Sequence, residues 1–301
     1  MKSFLICHRG ALGDFILTWP ALYCLKRELP DYHLMGIGRS EYMRLAINMG
    51  LLDSYLDKES TRLLDFFCGR SIPLEIGSPH GDPHGAVLWL REGQEMVNLL
   101  KKSASLPVIP IDPFPNKQMH LAHYYCSSIK SHFPITIPQS LSDCFPLRAT
   151  KGQYALIHPG SGSSKKNYVP QFYLDLADEL RRFGYQKVGF VLGPVEQEKM
   201  ATEEFSGEWI EQPENVEELS KLLTNVSLYI GNDSGVSHLS GYLGIPTIAL
   251  YKTTDPEIWG VLGRKVVHIT AINEKSALDR IRECLKRFIM DSNIMLTESD
   301  F

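Results

Sequence analysis

Phe4 to Phe15 reads FLICHRGALGDF: a four-residue apolar run, a basic pair, then two glycines and an acid before apolar residues resume. A run this short, bounded by a glycine-bearing turn, predicts a buried strand delivering the chain into a helix. The pattern returns at Tyr154–Lys166, YALIHPGSGSSKK, and at Leu228–His238, LYIGNDSGVSH. Apolar runs alternating with helical period along a whole chain predict an α/β fold with parallel sheets.

Working outward, the strands expected in the first half are Phe4 to Cys7, His33 to Ile37, Ala86 to Leu90 and Pro107 to Ile111. Helices are expected over Gly13 to Leu29 despite Pro20, Glu41 to Asn48, Glu92 to Lys102 and Met119 to Phe133. From Phe133 to Gly152 the chain is rich in Pro, Ser and Thr and loses its period, so a domain boundary is placed near residue 150.

The second set has strands at Tyr154 to His158, Lys187 to Leu192, Leu228 to Gly231, Thr247 to Tyr251 and Val266 to Ile269. Its helices are Pro170 to Phe183, Val195 to Phe205, Val216 to Leu223, Gly235 to Leu243 and Lys275 to Phe288. The domains are thus 1–150 and 151–290, with a polar, frayed or loosely docked tail at 291–301. Two such sets suggest two Rossmann-like domains facing a central cleft, the default place for a ligand.

Composition sets limits on partners. The chain has 301 residues, 44% hydrophobic and 22% charged, with net charge −4. Residues 1–150 hold 15 Lys and Arg against 14 Asp and Glu, and the remainder 16 against 21, so neither half has the basic excess of a nonspecific nucleic-acid binder. The six cysteines are scattered without C-x-x-C or metal-ligand spacing, as buried free thiols of a reducing compartment would be. MKSFLICHRG is too short for a signal-peptide apolar region, and the longest uncharged apolar run, Phe15 to Leu25, is broken by Pro20. A cytoplasmic protein without a membrane span is expected.

Four segments carry chemistry. In Arg9–Asp14 a glycine turn meets a helix N-terminus, where Asp14 reads either as a capping carboxylate or as a general base; the glycines do not match G-x-G-x-x-G. His158–Lys166 offers Gly160, Gly162, three serine hydroxyls and two lysines, the parts of a phosphate-binding loop without Walker spacing. In Gly231–His238, Ser234 and His238 share a helix face one turn apart, with His238 either packed or functional. Thr253-Thr-Asp-Pro256 alone is a good turn.

In this order and at these separations, the segments resemble glycosyltransferase family 9, the ADP-heptose:lipopolysaccharide heptosyltransferases. The resemblance runs from Phe4 to about Trp259 and rests on Gly10–Asp14 with LTWPAL at 17–22, His158-Pro-Gly with Lys166, Gly231–His238, and GIPTIALY at 244–251 with Thr254-Asp-Pro.

The resemblance implies a GT-B architecture and an inverting, metal-independent transfer of heptose from ADP-heptose to a hydroxyl of a saccharide acceptor of lipopolysaccharide core type. No cofactor is implied. Asp14 matches the family's general base and Lys166 its phosphate-contacting lysine. Ser161 and Gly162 match the phosphate stretch, and Asp233, Ser234, Gly235 and His238 the donor-binding turn. Glu196 matches the acid on the ribose hydroxyls, with Gln197 and Glu198 as alternatives in register, or is a solvated glutamate at a helix start. Arg9 and Gly13 are placed on the acceptor side. The implied setting is the cytoplasm, with peripheral contact at the inner membrane left open.

Two places depart from the family. His8 stands where the family has Arg or Lys, with Arg9 one position on, and Lys252-Thr253 replaces the Gly-Pro of a G-P-T-D-P turn. Residues 51–115 resemble nothing in the family; Arg62, Arg70, Arg91, Lys101 and Lys102 there are either solvated or acceptor contacts. Open alternatives are another nucleotide sugar or acceptor in the same fold, and a non-catalytic nucleotide-sugar-binding protein.

Overall fold

The computed structural model describes residues 2–73, 76, 83–146, 152–193 and 202–297. The chain divides into two compact units, Met1–Cys144 and Phe145–Phe301. The division falls inside the Pro-, Ser- and Thr-rich stretch.

In the first unit, β1 (Lys2–His8), β2 (Tyr32–Gly38), β3 (Ser54–Asp57), β4 (Gly85–Trp89) and β5 (Val108–Ile111) form one sheet in the order β3-β2-β1-β4-β5. All four pairings are parallel. The second unit holds β6 (Tyr154–His158), β7 (Val188–Val191), β8 (Trp209–Glu211), β9 (Val226–Asn232), β10 (Thr247–Tyr251) and β11 (Val266–Thr270), in the order β11-β10-β9-β6-β7-β8. Its five pairings are parallel too.

The central strands read as unbroken apolar runs because both faces are covered: Phe4 to Cys7 and Ala155 to Ile157 are at most 1% exposed. Helix period supplies the cover. Along the Pro170–Arg182 helix, Phe172, Tyr173, Leu176, Ala177 and Leu180 form one buried stripe against Ala155, Ile157, Phe190, Leu228 and Ile230. In the first unit Met96, Val97 and Leu100 of the Gln94–Lys101 helix join Leu5, Cys7, Ile37 and Leu88.

Each sheet starts at its middle and grows outward on one side before the chain crosses to the other. The strand order therefore reverses between β1 and β4, and again between β6 and β9. Loops leaving the carboxyl ends of those two pairs diverge, which makes these the two places where a Rossmann-like sheet offers a ligand crevice.

The expected helix over Gly13 to Leu29 is two helices, Leu12–Ile16 and Trp19–Glu28. Pro20 lacks the N–H that would bond to residue 16, so it is accommodated only in the first turn of a new helix. Strands β3 and β8 were not anticipated. Both are short outer strands of only partly buried residues, and neither has the apolar run that marks a central strand. The short helices Thr61–Leu63, Leu64–Phe67 and Pro256–Trp259 also lie outside the expected elements.

The last helix spans Glu274–Thr297, longer than Lys275 to Phe288, and takes in part of the expected tail. Of the helix expected at Val195 to Phe205, only a 3₁₀ turn at Thr202–Phe205 falls within the described residues. Cys7, Cys24, Cys126 and Cys144 are buried thiols, but Cys68 is exposed and Cys284 half-buried, contrary to the expectation for all six. Among the described residues no helix is long and apolar enough to cross a membrane.

Candidate active site

In the second unit the switch between β6 and β9 brings together two of the segments singled out by sequence. Residues His158 and Gly231 pair across the two strands, so the loop after His158 and the turn after Asn232 leave the sheet side by side. Lys166, at the end of a 3₁₀ turn (Ser164–Lys166), reaches across, and its Nζ donates to Asp233 Oδ2 at 2.6 Å although the residues lie 67 positions apart. His238 Nε2 lies 3.7 Å from the other oxygen, Oδ1, and Thr254 Oγ1 donates to Oδ2 at 2.8 Å. Lysine, histidine and threonine from three separate segments thus converge on one carboxylate.

That carboxylate is 7% exposed at its side chain, and Lys166 is 27% exposed. Burial alone would raise the Asp233 carboxyl, but the neighbouring His238, with the hydrogen bond and charge of Lys166, outweighs it and holds the group well below the usual range. A carboxyl that titrates lower in the folded than in the unfolded chain contributes stability that is fully present above the unfolded value and is lost as pH falls through the folded one. Asp233→Asn is therefore expected to destabilise the protein by about 1–3 kcal/mol at pH 7. The gap in urea midpoint between this variant and the native chain should narrow as the pH is lowered from 5 toward 2. A gap independent of pH would show that the charge contributes nothing.

Asn232, at the end of β9 and fully buried, organises the same corner, a role not read from the sequence. Its Nδ2 lies within donating distance of Pro159 O (2.8 Å), Asn167 Oδ1 (3.2 Å) and Tyr173 Oη (2.8 Å), and it ties the β6 loop to β9. Asn167 Oδ1 also accepts from Ser161 Oγ at 2.6 Å. Lys252, just past β10, donates from Nζ to Asn167 O at 3.0 Å with its ammonium over the Tyr168 ring. The residue noted only as replacing a Gly-Pro therefore fastens the loop that carries Lys166.

Ser234 is the N-cap of the Gly235–Tyr242 helix, its Oγ accepting from Ser237 N at 3.4 Å, and Gly235 opens that helix. The helix thus begins two residues after Asp233, the carboxylate that Lys166 reaches, and its N-terminus carries the positive end of the helix dipole. Gly162 lies in the open, where a Cβ would meet nothing within 4 Å. Gly231 is required by close packing, since a Cβ there would stand 2.3 Å from Tyr229 Oη. Glu196, Gln197 and Glu198 lie outside the described residues.

In the first unit the β1/β4 switch carries another of the segments singled out by sequence. His8 and Trp89 pair in register at the strand ends, and a cavity of about 420 Å³ opens there, lined among others by His8, Arg9, Gly10, Asp14, Lys58 and Arg91. Asp14 is the third residue of the Leu12–Ile16 helix, in its first turn, while Ala11 holds the cap position. Gly10 keeps that corner compact: a Cβ on it would stand 3.0 Å from His8 Cε1 and 3.3 Å from Asp14 Oδ2.

Arg9 is exposed with its guanidinium over the Phe67 ring, and Gly13 is half-buried beside Asp14. Burial, helped by the charge of Lys58, pushes the His8 imidazole down to about 3, so it is neutral at physiological pH. Of the basic residues between 51 and 115, Lys58 and Arg91 line this cavity; Arg70 is paired with Asp65 on the surface. Among the described residues no group of three His, Cys, Asp or Glu side chains is arranged to hold a metal ion.

The family model described as glycosyltransferase family 9 (heptosyltransferase) matches residues 117–288. Residues 1–116, with Asp14, lie outside that match. No curated protein sequence matches the chain significantly. Among solved structures, it is similar to a glycosyl transferase of family 9 from Veillonella parvula, with TM-score 0.72 and 18% identity over 90% of this chain and 86% of that one. It is similar to E. coli heptosyltransferase WaaC with ADP, at TM-score 0.70 and 17% identity over 96% and 99% of the two chains. E. coli ADP-heptose lps heptosyltransferase II gives TM-score 0.70 and 15% identity over 95% and 99%. Likeness at these identities establishes the fold, a GT-B-like pair of parallel α/β units.

Proposed function

The chain belongs to glycosyltransferase family 9, and on that premise we propose that it is an inverting, metal-independent transferase moving heptose from ADP-heptose to a saccharide hydroxyl of lipopolysaccharide core type. The observation that carries the reading is the Lys166–Asp233–His238 cluster at the β6/β9 switch, beside the N-terminus of the Gly235–Tyr242 helix. A lysine ammonium and oriented backbone N–H groups are what a diphosphate leaving group needs as its negative charge develops. With those present, the charge compensation that a divalent ion gives elsewhere has a substitute.

In the proposed step Asp14 accepts the proton of the acceptor hydroxyl as its oxygen attacks the anomeric carbon. The bond from that carbon to the diphosphate breaks, and its electron pair leaves with ADP. Displacement from the opposite face inverts the anomeric carbon. Lys166, with Ser161 and Gly162, is assigned to the diphosphate. Asp233, Ser234, Gly235 and His238 are assigned to the donor, Glu196 to its ribose, and Arg9 and Gly13 to the acceptor. The phosphate would draw Lys166 away from Asp233 and so free the carboxylate for sugar hydroxyls. The cytoplasm, where thiols such as the exposed Cys68 stay reduced, is the proposed compartment, with peripheral contact at the inner membrane as an accompanying proposal.

Lys252 favours a second reading within the same chemistry, in which the donor is a different nucleotide sugar, because with Thr253 it replaces the Gly-Pro of the family's turn and fastens the loop that carries Lys166. A thermal-shift panel of ADP, UDP, GDP and CMP separates the two. ADP at 100 times its Kd should add about 2.7 kcal/mol of apparent stability. A larger shift with UDP or GDP would displace ADP-heptose as the donor.

A further inference from the structure

At the β1/β4 switch two polar ring atoms are buried without a hydrogen-bond partner among the described residues: His8 Nδ1 and Trp89 Nε1. The two residues face each other in register, with ring centroids 6.4 Å apart, and both line the cavity that holds Asp14. His8 is 2% exposed, as is Trp89. An unpaired polar atom at this depth is costly, and phenylalanine would fill either place without one. Both atoms belong to residues that line one cavity, where an entering polar group would pair them.

We infer that His8 and Trp89 form a recognition pair for a neutral hydroxyl of the acceptor, adjacent to the hydroxyl that Asp14 deprotonates. The indole N–H can only donate, whereas a neutral imidazole can accept, so between them they satisfy both sides of one hydroxyl. The imidazole of His8 is neutral because it is buried and faces Lys58, which suits it to a hydroxyl and not to a carboxylate or phosphate. Its place beside Asp14 follows from Gly10: the His8 ring and the Asp14 carboxylate both approach within 3.3 Å of the point where a Gly10 Cβ would stand. The arrangement sets a preference toward an acceptor with an uncharged group there.

The inference rests on the reading of the chain as a sugar transferase whose acceptor enters this cavity. The test uses the full chain with ADP-heptose as donor and de-acylated inner-core lipopolysaccharide as acceptor, following ADP release. His8→Phe and Trp89→Phe are each expected to raise the acceptor KM about tenfold, the loss of one hydrogen bond, with the donor KM within about twofold of the native value. His8→Asn, which restores a polar atom near Nδ1, should recover part of the loss. His8→Phe should also melt at or above the native temperature, since it removes an unpaired buried atom. An unchanged acceptor KM in both phenylalanine variants overturns the pair, and so does a donor KM that rises in step, which would mark a structural role. If the native chain itself releases no ADP, the transferase reading fails, and the pair falls with it.

Discussion

Asp14→Asn is expected to lower kcat for sugar transfer by about 10²- to 10⁴-fold, the range that a positioned general base contributes. A saccharide hydroxyl holds its proton far above neutral pH, so it becomes an adequate nucleophile only if a carboxylate takes that proton as the new bond forms. Asn keeps the size of the side chain and its place in the first turn of the Leu12–Ile16 helix, but it cannot accept a proton. ADP affinity, measured by thermal shift, should stay within about twofold of native, because Asp14 belongs to the first unit and the proposed nucleotide contacts to the second. Asp14→Glu should also be slow, since one added methylene shifts the base from its productive position. Retained kcat in Asp14→Asn would remove the residue from the mechanism and send the search for a base elsewhere in the same cavity.

Lys166→Met is expected to cost about 10²- to 10³-fold in kcat/KM for the donor, the scale measured when one charge-stabilising group is removed from a reacting centre. The acceptor KM should change little. Methionine keeps most of the unbranched stem, so the loss reports the ammonium itself. Removing it also takes from Asp233 its shortest partner, leaving His238 and Thr254. The effect on folding is expected to be smaller than that on catalysis, because Lys166 is partly solvated whereas a transition-state charge lies out of water. Lys166→Arg separates charge from shape: a guanidinium keeps the charge but spreads it over a plane, and partial recovery is expected. Equal activity in the native and Lys166→Met proteins would show that the Lys166–Asp233 pair is structural.

Much of the frame was legible along the chain. Tyr154–His158, Val216–Leu223 and Thr247–Tyr251 have the bounds their apolar pattern predicts, because a buried central strand or an amphipathic helix leaves a local signature. The outer strands Ser54–Asp57 and Trp209–Glu211 leave none, since half-exposed edges tolerate mixed residues. The break at Thr18 was missed because a proline in the first turn of a new helix and one inside a long helix look alike in sequence.

Asn232 and Lys252 show the same limit at the site. An asparagine at a strand end and a lysine in a turn are ordinary residues locally. They became organising residues only when β6, β9 and β10 were laid side by side, placing Asn232 against Pro159 and Lys252 against Asn167. His8 and Trp89 likewise stand 81 residues apart in the chain and meet only through the pairing of β1 with β4.

The sequence by itself determined the alternating α/β class, the strand-turn-helix segments and the chemical types they carry, because each follows from local period, turn residues and charge. Tertiary structure decided which segments become neighbours. Strand order is set by where helices can cover both faces of a parallel sheet, a long-range packing balance that no window of residues contains. That balance put Lys166 on Asp233 and Trp89 beside His8, and so turned separate motifs into candidate chemistry.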